Sequence, residues 1–219
     1  YTVEQSITVQ THSQRVLKAR KTIIELLVAN HPDDCLYCSR NNNCELQTLA
    51  ADHNVDKRRF NPLPQSPELD CSSPSLQREP AKCILYGRCV RTCEEIMGVG
   101  AIDFIERGCH TKVAPAFDEG LNQSTCVSCG QCITVCPTGA LAEKSHIERV
   151  LDALDDPERV VVIQHAPAVS VTVGEEFNLP TGKDADGALV AACRRLGFDY
   201  VFDTSFSADL TILEEGSEL

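Results

Sequence analysis

The residues of this sequence best suited to chemistry are thiols set at short, repeated intervals. Cys126-Val-Ser-Cys129-Gly-Gln-Cys132-Ile-Thr-Val-Cys136-Pro137 has the C-x2-C-x2-C-x3-C-P spacing that grips a cubane iron–sulfur cluster. Three thiolates on one tight loop reach three irons of a cube, and the fourth cysteine, opening a helix, faces a neighbouring cluster. Gly130 permits close backbone approach, and Pro137 suits a first helical turn. A second run, Cys83-Ile-Leu-Tyr86-Gly-Arg-Cys89-Val-Arg-Thr-Cys93, keeps this frame but carries Tyr86 in the second position. If each run lends its last thiolate to the other, Cys93, Cys126, Cys129 and Cys132 make a complete set. Cys83, Cys89 and Cys136 then make a set one thiolate short. Three outcomes are open there: a three-iron cluster, a last iron bound by the Tyr86 phenolate or water, or recruitment of Cys71 or Cys109. The spacing favours a cluster that is present but altered, [4Fe-4S] or [3Fe-4S], over an empty site in which Tyr86 merely packs.

A third constellation, His31-x3-Cys35-x2-Cys38-x5-Cys44, offers one imidazole and three thiolates. On spacing alone zinc fits as well as a [4Fe-4S] cluster, because zinc also takes three Cys and one His. Two neighbouring cluster sites favour iron and sulfur, since a redox-inert ion adds nothing to a line of electron carriers. Neutral His in place of an anionic thiolate raises a cluster's reduction potential.

The thirteen cysteines, odd in number and grouped in Cys-x-x-Cys pairs, point to metal binding in a reducing compartment rather than a disulfide framework. A cytoplasmic location is expected. The formal charge of −12 argues against nucleic acid, which needs a basic face. No apolar run approaches the roughly 18 to 20 residues of a membrane span, and the N-terminus lacks a signal-peptide pattern. Aromatic content of 5% with no Trp implies that parts of the chain fold around metal as well as side-chain packing.

The elements that must position these groups follow from periodicity. Thr11 with Gln14 forms a capping box for a helix in which Val16, Ala19, Ile23, Leu26 and Leu27 recur at helical spacing through Asn30, delivering His31. A second helix is expected from Cys44 through Ala51, followed by a Pro- and Ser-rich linker. The two cysteine runs read as an internal duplication, each leading into a short helix, with strands near Ile102, Phe104 and Ile105 between them. After Pro157, Val160 to Ile163 reads as a buried parallel strand. A helix from Asp184 to Leu196, a strand from Tyr200 to Phe202 and a helix opening near Ser207 complete a βαβα pattern. Two strands and two helices cannot enclose a full core, so the sequence reads as a fragment cut at its C-terminal end.

The order of motifs is also familiar. His31-Pro32-Asp33-Asp34-Cys35-Leu36-Tyr37-Cys38 and Cys44-Glu45-Leu46-Gln47, followed by a two-cluster ferredoxin unit, resemble the accessory region shared by iron-only hydrogenases, the large subunit of respiratory complex I and NAD-linked formate dehydrogenases. The segments Ala166-Pro167-Ala168-Val169, Gly174-Glu175-Glu176-Phe177, Arg194-Arg195-Leu196-Gly197-Phe198-Asp199, Val201-Phe202-Asp203-Thr204 and Ala208-Asp209-Leu210-Thr211 resemble the opening of an [FeFe]-hydrogenase catalytic domain. The resemblance implies an α+β fold: a helical iron–sulfur domain with one histidine and three cysteine ligands at 1–60, a linker at 61–81, a ferredoxin-like two-cluster domain at 82–150, and at 158–219 the start of an α/β hydrogenase large domain. It implies an oxidoreductase subunit in which the His31 site receives electrons from ferredoxin or a flavin and NAD-binding subunit. The Cys83 site is then the middle step, and the Cys126 site lies nearest the hydrogen-forming cluster. The cysteines for that last cluster lie beyond Leu219 in the family, so no residue here is assigned to it and this piece alone is not expected to be catalytic. The alternatives are a redox-sensing or structural iron–sulfur module, or the equivalent region of a formate dehydrogenase or complex I subunit.

Other residues receive ordinary roles. Cys193 reads as a small buried hydrophobe in a helix. His12, His53, His110, His146 and His165 lack ligand-like spacing to the cysteines. Lys82, Arg88 and Arg91 surround the first ferredoxin loop and either offset cluster charge or are simply solvated. Glu214 and Glu215 are adjacent on a helix, point apart, and read as a solvated face.

Overall fold

The computed structural model describes residues 4–56, 59–62 and 69–218. It divides into two compact units, one ending at Lys144 and one beginning at Ser145. The His31 segment and both cysteine runs, expected in separate domains, fall within the first of these, and the segment expected to reach residue 150 crosses the boundary.

In the first unit α1 spans Gln14–Ala29 and α2 spans Glu45–Asp52, and the two pack together. The helix start differs from expectation. Ser13, not Thr11, caps α1, its Oγ accepting the Val16 N–H at 3.4 Å, while Thr11 instead meets the His12 ring at 2.8 Å. Ile24, Ala29 and Leu46 bury the apolar side of the pair.

Strands β1 (Leu76–Arg78), β2 (Asp103–Ile105), β3 (Lys112–Ala114) and β4 (Leu141–Glu143) form two antiparallel pairs. β1 runs against β4 with Leu76 opposite Glu143 and Arg78 opposite Leu141; β2 runs against β3 with Phe104 opposite Val113. β1 lies in the segment expected to be linker. Three residues of strand are too few to show above a Pro- and Ser-rich background, yet Asp70 and Arg78 also exchange backbone hydrogen bonds at 2.8 and 2.9 Å. Residues 63–68 of that linker lie outside the described residues.

Short helices α3 (Arg88–Arg91) and α4 (Gln131–Thr134) open directly after the glycine of each cysteine run, and α3 continues as a wider turn over Thr92–Ile96. Leu76, Val90, Ile102, Val113 and Leu121 form the core, with Cys83, Cys89, Cys93, Cys126 and Cys132 packed against it. So few apolar residues leave the cysteines a large share of this unit's interior, as the scarcity of aromatics implied.

Arg78 is buried and ties the strands together. Its Nη1 donates to the Val113 carbonyl at 3.1 Å, and its guanidinium lies 3.5 Å from Asp70 and 3.6 Å from Asp118. Burial would raise the Asp70 carboxyl, but hydrogen bonds from the Ser72 hydroxyl, Ser72 N–H and Leu121 N–H, together with Arg78, hold it below its ordinary value.

The second unit holds α5 (Ile147–Leu154), β5 (Val162–His165), α6 (Pro167–Thr172), α7 (Asp186–Leu196), β6 (Tyr200–Asp203) and α8 (Thr204–Glu218). β5 and β6 are parallel, with Val162 opposite Tyr200 and His165 opposite Asp203. The expected strand is shifted two residues later. Val161 N–H is instead held by the Asp199 carboxylate at 2.7 Å, and Val160 and Val162 are exposed rather than buried. α8 starts three residues before Ser207, because Asp203 Oδ1 accepts the Phe206 N–H at 2.7 Å and supplies the cap. Cys193 is buried in α7, and Gly197, at φ 105°, closes that helix. Among the described residues no helix is long and apolar enough to cross a membrane.

Candidate metal centres

The two cysteine runs fold into the same loop. Leu85 and Ser128, each two residues after the first cysteine, adopt φ 56°, and Gly87 and Gly130, two further on, adopt φ 82° and 75°. This double left-handed turn aims a backbone N–H back at the first sulfur: Leu85 N–H lies 3.4 Å from Cys83 Sγ, and Ser128 N–H lies 3.4 Å from Cys126 Sγ. Such donors favour a charged thiolate and its sulfide partners. At Gly87 a side chain is excluded twice, by the positive φ and by the Phe104 ring 3.0 Å from where a Cβ would stand. The glycine four positions after each leading cysteine was a visible signal of this turn. The left-handed Leu85 and Ser128 were not.

Cys83, Cys89 and Cys136 lie near one another, as do Cys93, Cys126, Cys129 and Cys132, and Cys89 also lies near Cys132. Burial pushes the Cys89 thiol up to about 12, and the neighbouring Cys83 and Cys136 sulfurs add to the effect. Burial likewise pushes Cys132 up to about 11, with Cys126, Cys129 and Cys93 adding. Cys83 is raised by burial and by Cys136. Packing several thiols together out of water disfavours their charged forms, a cost that metal binding removes by releasing the protons. Cys93, Cys126, Cys129 and Cys132 also line one apolar cavity with Ile102 and Leu121, and Cys93 Sγ accepts the Ala101 N–H at 3.3 Å. All thirteen cysteines are free thiols. Among the described residues no three His, Cys, Asp or Glu side chains converge on a single-ion position. Buried thiols that receive backbone N–H groups at sulfur fit an iron–sulfur cluster.

His31 follows the end of α1, Cys35 opens a tight turn, and Cys44 is buried at the start of α2. This segment is docked onto the Cys136 loop. Arg40 Nη2 donates to the Ile133 and Cys136 carbonyls at 2.8 and 3.1 Å, and Glu45 N–H donates to the Pro137 carbonyl at 3.2 Å. Cys38 Sγ lies over Gly139, where a Cβ would stand only 2.6 Å away. Lys82, buried beside Cys83, reaches Asp34 and Glu79, both at 2.8 Å. Its backbone carbonyl accepts the hydroxyl of buried Thr138 at 2.7 Å. Neither Arg40, Gly139 nor Thr138 was singled out by sequence reasoning, because none belongs to a spaced motif. His31 and Cys83 also line one cleft of about 620 Å3, shared with Arg78, Cys109 and Lys112.

Tyr86 is 52% exposed, with the Arg88 guanidinium 4.7 Å from its ring centroid, and Arg88 in turn lies 3.6 Å from Glu45. Cys71 and Cys109, the spare thiols weighed for this site, are both exposed. In the second unit His165 is buried beside Asp186, with Nε2 to Oδ1 at 3.3 Å.

Three family models match successive parts of the chain. Residues 20–59 match the NADH-ubiquinone oxidoreductase-G iron-sulfur binding region, 73–142 the ferredoxin-like domain of NADH-quinone oxidoreductase subunit 3, and 159–219 the C-terminal domain of the iron-only hydrogenase large subunit. Among curated proteins, the NADP-reducing hydrogenase subunit HndD of Solidesulfovibrio fructosivorans is 45% identical over 216 residues, covering 99% of this chain and 37% of that protein. Iron hydrogenase 1 of Clostridium pasteurianum is 37% identical, covering 99% of this chain and 38% of its own length. The chain thus spans less than two-fifths of either relative. A solved structure of an NAD+-reducing [NiFe]-hydrogenase in the H2-reduced state aligns with a TM-score of 0.57 at 29% identity, over 62% of this chain and 58% of that one. In succession, then, the chain is similar to the iron–sulfur binding region and the ferredoxin-like domain of NADH-quinone oxidoreductase subunits and to the C-terminal domain of the iron-only hydrogenase large subunit.

Proposed function

We propose that this chain is the electron-transfer portion of an iron-only hydrogenase subunit, passing electrons one at a time along three iron–sulfur clusters. The observation that carries the reading is the twin loop, two backbone turns of one conformation that gather interleaved thiols around a shared small core. Cys93, Cys126, Cys129 and Cys132 hold one [4Fe-4S] cluster. Cys83, Cys89 and Cys136 hold a second, [4Fe-4S] or [3Fe-4S], and His31, Cys35, Cys38 and Cys44 hold a third. Bound clusters supply one-electron redox chemistry; the chain's own residues fix their spacing, exclude water and donate N–H groups to sulfur. The docking of Cys38 on Gly139 and of Arg40 on the Cys136 carbonyl supports an order in which the His31 site neighbours the Cys83 site. Electrons then run between a donor at the His31 end and the hydrogen-forming cluster of the whole subunit, to which no residue of this chain is assigned. The donor is a soluble ferredoxin or a flavin and NAD-binding subunit, and the setting is cytoplasmic. Similarity to an NADP-reducing hydrogenase subunit favours the multi-subunit form.

The test is sustained transfer of electrons from reduced ferredoxin through the anaerobically loaded chain to a viologen acceptor, with Cys126→Ser slowing it at least tenfold. Tyr86 favours one other reading, a redox-sensing module that binds clusters without turnover. Reversible cluster reduction with no onward transfer would establish that reading instead.

A further inference from the structure

Tyr86 stands in one loop where Cys129 stands in the other. The two loops share their left-handed residues and their N–H to Sγ contacts, so the second position of each faces the same way. Cys129 is the exposed thiol of its set, whereas Cys93, Cys126 and Cys132 are half-buried. The corner of the Cys83 set that lacks a thiolate is therefore its solvent-facing corner. Tyr86 cannot fill that corner from the same backbone position. A cysteine Sγ lies a single bond beyond Cβ, while the phenolic oxygen lies on the far side of a rigid ring and overshoots. The ring turns outward instead, half exposed beneath the Arg88 guanidinium. That stacking favours the outward position, as expected for a cation on an aromatic face. The other three positions are well enclosed: Cys136 is buried, and Cys83 and Cys89 pack against the core.

Resting on the relay reading above, we propose that Cys83, Cys89 and Cys136 hold a four-iron cluster whose last iron has no protein ligand and faces solvent beside Tyr86, where it takes an exchangeable low-molecular-weight thiolate. Iron on a sulfide cube is soft enough to prefer sulfur over water. The charged groups beside the Tyr86 ring are Arg88 and its partner Glu45, 3.6 Å apart, so they neither attract nor repel an anionic ligand strongly. The exchange is a substitution: bound water leaves the iron, the incoming thiol gives its proton to solvent, and no electron moves. The middle step of the relay then responds to the thiol pool around it, whereas the set completed by Cys129 does not.

The experiment is an EPR titration of the anaerobically loaded and reduced chain with mercaptoacetate. One cluster signal shifts saturably with the probe and returns when the probe is removed by gel filtration, while the remaining signals stay fixed. Tyr86→Phe behaves as the parent, and Tyr86→Cys abolishes the shift by supplying the missing sulfur. The proposal is overturned if no signal moves at millimolar probe. It is equally overturned if Tyr86→Phe alters the probe-free spectrum, which would make the phenolate a ligand, or if Cys109→Ser does, which would make that thiol the fourth ligand. Iron and sulfide analysis with EPR separates its failure from that of the relay: a three-iron cluster in the Cys83 set beside a four-iron cluster in the Cys126 set sinks this proposal alone, and an empty Cys83 set or an absence of all clusters sinks both.

Discussion

Replacing Gly139 by alanine should weaken the His31 cluster selectively. The new Cβ would stand 2.6 Å from Cys38 Sγ, 3.6 Å from Lys82 Cδ and 3.8 Å from Ser39 Oγ. The backbone itself accepts alanine, since Gly139 has no left-handed φ, so the cost arises from that first contact. Cys38 must retreat by most of an ångström to reach ordinary contact. A free thiol does so by turning about χ1, at a cost of about 1 kcal/mol. A thiolate tethered to iron cannot turn, and the strain passes into the Cys35 to Cys44 loop. Overpacking of this kind costs about 1–3 kcal/mol, which corresponds to roughly 5- to 150-fold weaker retention of the cluster. The assay compares thermal unfolding of apo and loaded chains and follows loss of each EPR signal to a chelator. Gly139→Ala should lower Tm more in the loaded chain and speed the loss of one signal only. Equal shifts in apo and loaded forms, or unchanged chelation kinetics, would refute the coupling of Cys38 to both metal and Gly139.

Cys93→Ser should perturb the cluster held by Cys126, Cys129 and Cys132 and spare that of Cys83 and Cys89, as read by EPR of the reduced chain; the opposite pattern would show that each run keeps its own four positions. Arg40→Met removes donors to the Ile133 and Cys136 carbonyls and should cost roughly 2–3 kcal/mol, seen as a lower denaturation midpoint. Asp70→Asn leaves buried Arg78 with a weaker partner and should cost about 2 kcal/mol near neutral pH. Because the folded Asp70 carboxyl titrates below its unfolded value of 3.8, its contribution is present above that pH and fades as pH falls through the lower folded value. Denaturation of parent and Asp70→Asn at several acidic pH values should therefore converge, and a gap that persists there would contradict the linkage.

The cysteine spacing made the twin loops legible because a repeated motif folds by a local rule, and the second unit was legible because parallel strands and helices carry strong periodic patterns. Errors arose where a single local contact outweighed a pattern. Ser13 displaced Thr11 as the cap, Asp203 started α8 early, and Asp199 held Val161 just outside β5. Contacts between distant segments left no pattern to read. Arg40 meets residues more than ninety positions away, and Cys38 meets Gly139 across a similar interval. β1 was hidden in a Pro- and Ser-rich stretch because its pairing with β4 depends on partners far along the chain.

Anaerobic iron, sulfide and zinc analysis of the purified chain, combined with EPR before and after reduction, tests the central claim most directly. Three cubane sites predict about twelve irons per chain with a matching amount of acid-labile sulfide, or about eleven if one site is a three-iron cluster, and no stoichiometric zinc. Zinc without sulfide, or iron without an EPR-active cluster in either redox state, would contradict an electron relay built on these thiols.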